Sequence, residues 1–131
     1  MRCTTACFET SRLAALGCLF LAAVQPLLAA AQPQNPYLAM VDLQIAKLES
    51  ESPELRAGAA EALGFLRAYQ AEERLIGCLH DPSPLARRQA AMALAWCGGR
   101  EAVAPLLTTL DDEDWVTRQA AHVALTNLTG M

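Results

Sequence analysis

The sequence predicts an all-α protein: an α-solenoid of about three stacked helical hairpins, preceded by a cleaved signal helix. Two observations predict the stack and a third predicts the leader. Residues recur at a fixed step of 31 with no insertion or deletion, so that Leu48, Leu79 and Leu110 coincide, then Arg56, Arg87 and Arg118, then Leu63, Leu94 and Leu125. A period of roughly 20 to 50 residues, kept through apolar and polar positions alike, marks supersecondary units that bury a continuous core between neighbours. Each copy also carries a helix-start residue at one repeat position, Ser52, Ser83 and Asp114. The leading segment differs from all of this in kind. Arg2 and Arg12 precede an apolar run from Leu13 to Ala31 that ends in the small residues Ala29-Ala30-Ala31.

That leader reads as a secretory signal peptide over 1–31, cleaved after Ala31 or a residue or two either side. A retained membrane anchor is the alternative, because the apolar run approaches the roughly 20 residues that span a bilayer. Pro26 and the alanine exit favour cleavage. A lipoprotein box at Leu16-Gly17-Cys18 is the weaker third reading, since Ala15 stands where leucine is usual and the apolar run continues past Cys18. The expected location is therefore exported, periplasmic or secreted in a bacterium, with a membrane-anchored form as the minority alternative. Residues 32–36, Gln-Pro-Gln-Asn-Pro, form a linker, and 37–131 form the repeat domain, with repeats at about 37–67, 68–98 and 99–131.

The first helix of each repeat is expected over about Tyr37–Leu48, Ala71–Leu79 and Glu101–Leu110. Val41, Ile45 and Leu48, then Leu75, Ile76 and Leu79, then Val103, Leu106, Leu107 and Leu110 recur three and four apart, as one buried helical face requires. Pro105 is tolerated in a first turn, where the amide it lacks has no intrahelical partner.

The second helices begin at Ser52, Ser83 and Asp114, whose side-chain oxygens suit the free amides of a helix start. Pro53 and Pro84 follow the serines at the first helical position. Asp111 to Asp114 place negative charge at the third start, where the helix dipole favours it. These helices run to about Leu66, Cys97 and Leu128. Their inward sets are Ala59, Ala62, Leu63 and Leu66; Ala90, Ala93, Leu94 and Cys97; Ala121, Ala124, Leu125 and Leu128. Alanines paired with one leucine let helices approach closely and still fill the gap. Gly98-Gly99 and Gly130 stop the second and third copies, while the first ends at Arg67-Ala68-Tyr69 without a glycine.

The pattern Asp81…Arg87…Ala90…Ala93-Leu94, repeated as Asp112…Arg118…Ala121…Ala124-Leu125, resembles the HEAT repeat, in the short variety also found in phycobilin lyases. The resemblance covers about residues 37 to 131 and is specific for fold rather than function. It implies that the turn aspartate and the second-helix arginine pair within or between neighbouring repeats, forming a ladder. By position Asp81 matches with Arg87 and Asp112 with Arg118. Arg56 matches without its aspartate, because Ser50 stands there, and Glu49 or Glu51 is the candidate substitute.

No catalytic constellation is defensible from spacing, and neither a cofactor nor a metal is expected. His80 and His122 occupy different repeat positions and lack the convergent ligands a metal needs. HEAT-like hydroxylases carry several His-Glu pairs that bind iron, whereas here Asp81 follows His80 and Val123 follows His122. Phycobilin lyases work in the cytoplasm or plastid, which export and short length argue against. Asp111 to Asp114 lack the glycine and alternation of a calcium loop. The sequon Asn127-Leu128-Thr129 matters only in a eukaryotic secretory pathway. Cys78 and Cys97 remain after cleavage, and an exported protein could oxidise them. The helix assignment puts Cys78 at the end of one helix, near the start of the next, and Cys97 at the far end of that next helix, roughly 18 Å away, too far for the roughly 7 Å between Cα atoms that a disulfide tolerates. Without Arg2, Arg12 and Glu9 the net charge is about −5, which disfavours nucleic acid and anionic membranes.

The resemblance implies that second helices line a concave face where ligands lie. Their residues outside the alanine-leucine core form three stripes at helical spacing: Glu54, Gly58, Glu61 and Phe65; Leu85, Gln89, Met92 and Trp96; Val116, Ala120, Val123 and Asn127. The candidate binding residues are Glu61, Phe65, Leu85, Gln89, Met92, Trp96 and Val123. Trp and Met are types that dominate contact energy in interfaces. The alternative is that the aromatic and apolar members pack within the stack. The expected function is a non-catalytic exported scaffold that binds a protein or peptide. A self-associating or envelope-complex subunit is the second reading, because Val116 and Val123 on the last helix have no following repeat to cover them. A lyase- or hydroxylase-related enzyme subunit is the third.

Overall fold

The computed structural model describes residues 35–130. The signal peptide over 1–31, the lipoprotein box and residues 32–34 of the linker lie outside the described residues. Within them the chain forms six α-helices and no strand, arranged as three hairpins: α1 Pro36–Lys47 with α2 Pro53–Phe65, α3 Glu72–Cys78 with α4 Pro84–Cys97, and α5 Val103–Thr109 with α6 Trp115–Thr129. One turn of 3-10 helix precedes each of the two short first helices, at Tyr69–Ala71 and Arg100–Ala102. The first helix begins one residue before Tyr37, where the sequence placed its start. Asn35 caps α1 by accepting from the Tyr37 amide at 3.0 Å, and Pro36 is already its first residue, where proline needs no hydrogen-bond partner.

The repeated helix starts have different bonds. Ser52 Oγ accepts from the Leu55 amide at 3.3 Å, and Asp114 Oδ2 accepts from both the amide and the hydroxyl of Thr117 at 2.9 and 2.7 Å. Ser83 occupies the cap position, but its hydroxyl makes no capping bond. Its own amide donates to Asp81 Oδ1 at 2.8 Å, so the turn is organised by the aspartate instead. Gly130 ends α6 with a left-handed φ of 71°. In the first repeat, which lacks that glycine, Arg67 takes the left-handed conformation at φ 48°. An L-residue there is strained by contact between Cβ and backbone.

The core runs along the stack. Val41, Leu48, Leu63, Leu75, Leu79, Leu94 and Leu106 are buried among Ala59, Ala60, Ala90, Ala91, Ala93, Ala121, Ala124 and Cys97. Ile45, Leu66, Ile76, Leu110, Leu125 and Leu128 pack against them half-buried. Three residues expected inward lie outside the core: Ala62 and Val103 are only half-buried, and Leu107 is 53% exposed, lining with Val103 and Leu125 a cavity between α5 and α6. The second helices α2, α4 and α6 pack closely on one another, each first helix packs on its own second helix, and the first helices hardly meet. Small residues along the second-helix layer set that difference. Closer spacing in one layer than in the other curves a solenoid toward the tighter layer.

Candidate functional site

The flank shared by α2 and α4 holds a groove whose floor is glycine and alanine. A Cβ added at Gly64 would lie 2.9 Å from the Ala93 Cα, so the helices touch there backbone to backbone. Larger side chains on either side have to splay outward. Glu61 and Phe65 from α2, and Gln89, Met92 and Trp96 from α4, form the walls of this cavity of about 100 Å³. That is room for one or two apolar side chains. Phe65 is 82% exposed and Trp96 52%. Arg67, held in its left-handed turn, places its guanidinium carbon 5.7 Å from the centroid of the Trp96 ring. This is cation–π distance, and it fixes the indole orientation.

A second groove lies between α4 and α6. Arg88, Gln89, Met92, Val116, Gln119, Ala120 and Val123 line a cavity of about 300 Å³. Gln89 and Met92 belong to both grooves, so the two are continuous along the second-helix face. The Arg88 Nε is buried without a hydrogen-bond partner. Five of the seven residues expected from the sequence therefore meet in the first groove, and Val123 joins the second. Leu85 is half-buried and lines neither. Ala120, placed on the outer stripe by its spacing, is buried. Val116 and Val123 are not at the end of the stack. Both are half-buried in the groove against α4, which corrects the expectation that a missing repeat leaves them uncovered.

The close contact at Gly64 and the Arg67 stack on Trp96 were not anticipated. The glycine had a signal, since it follows Leu63 directly at the repeat position where Ala95 and Thr126 stand. For Arg67 the signal was the missing glycine at the end of the first repeat, which leaves another residue to take the left-handed turn, but its stacking on Trp96 had none.

The ladder exists, and its pairing runs between repeats. Arg56 Nε and Nη2 donate to the two oxygens of Asp81 at 2.6 and 2.8 Å, and Arg87 donates likewise to Asp112 at 2.8 and 3.0 Å. Asp81 thus pairs with Arg56 rather than Arg87, and Asp112 with Arg87 rather than Arg118. Glu49 does not replace an aspartate, since it pairs with Arg74, and Glu51 contributes only its backbone carbonyl to Arg56. The paired side chains are 8–14% exposed. The Arg56 guanidinium, helped by the Ser83 amide, holds the Asp81 carboxyl below its usual range against the opposing effect of burial. For Asp112 burial is the largest influence and pushes upward, but the Arg87 guanidinium and the Asp114 amide together overcome it.

Among the described residues, no group of three or more His, Cys, Asp or Glu is placed to hold a metal ion. Cys78 and Cys97 are both free thiols, and burial pushes Cys97 up to about 11. No helix among the described residues is long and apolar enough to cross a membrane. No curated protein matches the chain. A family model for HEAT repeats matches residues 41–126.

Proposed function

The chain belongs to the HEAT-repeat family, and on that premise we propose that it is a non-catalytic, exported scaffold that holds a protein or peptide on its second-helix face. HEAT repeats generally serve as protein-interaction scaffolds. One observation carries the choice of face: Phe65 and Trp96 stand largely exposed on either side of a floor too tightly packed to collapse. Large aromatic side chains at the walls of a preformed groove supply contact area with few rotatable bonds, so binding orders little and loses little entropy. The mechanism is rigid presentation. Gly64 and Ala93 fix the depth of the groove, Arg67 fixes the indole, and the shared Gln89 and Met92 continue the surface toward Val116 and Val123.

Export rests on the leader alone. In this reading the segment 1–31 is removed, the mature protein works in the periplasm or outside the cell, and neither cofactor nor metal takes part. A mass measurement of the protein recovered from the exporting host checks the cleavage. The binding face is tested with Trp96→Ala, whose removal from a half-exposed wall leaves the core intact. The variant is expected to keep its urea midpoint and to lose at least about tenfold in affinity for partners captured by the parent chain, as for a central aromatic anchor. A folded variant that retains every partner at full affinity sinks the proposal.

A further inference from the structure

Arg88 follows the ladder arginine Arg87 on α4, but the two side chains are used differently. Arg87 is fully engaged, with Nη1 on the carbonyls of Asp81 and Pro82 and Nε and Nη2 on the carboxylate of Asp112. Arg88 has no ion pair among the described residues, and its Nε is shut off from solvent without a hydrogen-bond partner. Asp114 does not fill that role. Its carboxyl is held low first by Thr117 and less by the Arg88 charge, and its Oδ2 is taken by the Thr117 amide and hydroxyl. A guanidinium half withdrawn from water costs free energy unless an opposite charge or an acceptor meets it.

The repeat gives Arg88 no structural task. One step of 31 before and after it stand the buried Ala57 and the exposed Gln119, so an arginine here is particular to the middle copy. It lies in the groove between α4 and α6, where it is the one charged residue of the lining. Met92, Val116 and Val123 make the apolar part of that groove, and the amides of Gln89 and Gln119 can both donate to and accept from a peptide backbone. Glu61 is on the wall of the adjoining groove with Phe65 and Trp96. The continuous face therefore has positive charge at one end and a carboxylate at the other.

On the reading that the second-helix face binds a peptide, we propose that the groove between α4 and α6 takes an aspartate or glutamate of that peptide, flanked by apolar residues, with Arg88 as its counter-charge. The apolar neighbours of the acid rest on Met92, Val116 and Val123, and the peptide continues across Gln89 toward Phe65 and Trp96, where Glu61 opposes a second acid. Nucleic acid is a poor match, because one cation in an apolar lining neutralises one charge and a phosphate backbone requires several. The net charge of −4 opposes acids at long range, but salt screens it beyond about 8 Å, so the selection is local.

The probe is a phage-displayed library of random short peptides, selected on the full chain and counter-screened on Trp96→Ala. Peptides that depend on Trp96 are expected to be enriched in Asp or Glu beside apolar residues. A synthetic copy of one is expected to bind about tenfold more weakly when its acid is replaced by the amide, and Arg88→Met is expected to bind acid and amide forms alike. Trp96-dependent peptides without an acid, or an acid-to-amide loss undiminished on Arg88→Met, overturn the acidic occupant and leave the groove face standing. If no peptide depends on Trp96, the groove face itself fails, and the acidic occupant with it. Arg88→Met also separates a binding role from a structural one without any peptide. An apolar side chain of similar length in place of an unpartnered guanidinium is expected to keep or raise the urea midpoint. A midpoint lowered as far as that of Arg87→Gln makes Arg88 part of the scaffold and overturns the proposal.

Discussion

Arg87 makes contacts in both directions along the stack: its Nη1 binds the turn of its own repeat and its Nε and Nη2 bind the aspartate of the next. Replacing it therefore leaves Asp112 as a nearly buried carboxylate without its counter-charge, and such a broken pair costs about 3 kcal/mol. Arg87→Gln is expected to lower unfolding stability by roughly that amount in urea titration. Arg118→Gln removes the same side chain from an exposed position with no carboxylate to strand, and is expected to fall within about 0.5 kcal/mol of the parent. Equal losses for the two would mean that the backbone anchor, not the ion pair, carries the energy. The arginines and aspartates were legible as a recurring pair of positions, but their partnership was not. With a step of 31, an arginine has one aspartate six residues before it and another 25 residues after it. Only the direction in which the side chain leans along the stack distinguishes them, and linear spacing carries no such direction. The near aspartate contributes only its carbonyl, because its carboxylate already faces the arginine of the preceding repeat.

At the scale of elements, two glycines in α2 have opposite roles. Gly64 sits where α2 and α4 touch, and the added Cβ would strike the Ala93 backbone, which cannot swing aside as a side-chain tip would. Gly64→Ala is expected to destabilise by about 1–3 kcal/mol, the usual penalty for overpacking, and to widen the groove it floors. Gly58 is exposed, helical and has nothing within 4 Å of the added Cβ. Gly58→Ala is expected to stabilise by about 0.5–1 kcal/mol, because alanine loses less backbone entropy in a helix. Thermal melts of the two variants beside the parent check both signs, and a stabilised Gly64→Ala would mean the helices are free to separate. The helix boundaries were legible because three copies repeat one start, and the starts at Pro53, Pro84 and Trp115 fall where those caps place them. The exposure of Leu107 was not legible. Helical periodicity marks the face of a helix, but whether that face is covered depends on a neighbouring repeat, which is not a property of the helix itself. The same gap misplaced Val116 and Val123: their spacing was read correctly, but the neighbour that half-covers them is α4 behind, not a repeat ahead.

Across the stack, the ladder is a nearly buried polar link between one hairpin and the next, and it depends on pH. Asp81 and Asp112 both have carboxyls held below their ordinary value in the folded chain. Such a group binds its proton more readily when unfolded, so the unfolded chain is the one that gains protons first as acid is added. The stability contributed by the pairs is fully present above the ordinary carboxylate value of about 3.9 and is lost progressively as pH falls through the depressed folded values. Arg56 and Arg87 stay charged throughout, and once their aspartates are neutral each is left as a cation with little access to water. In a stack whose stability is a sum of repeats and the contacts between neighbours, loss of both rungs weakens both interfaces together. The urea midpoint is thus expected to hold steady from about pH 8 to 5 and to fall below about pH 4. An Asp81→Asn, Asp112→Asn double variant is expected to be less stable than the parent at pH 7 yet to show a shallower fall in acid, so that the two curves converge. Parallel curves would place the acid sensitivity elsewhere, first at Asp114, whose carboxyl is also held low by Thr117 at the start of α6.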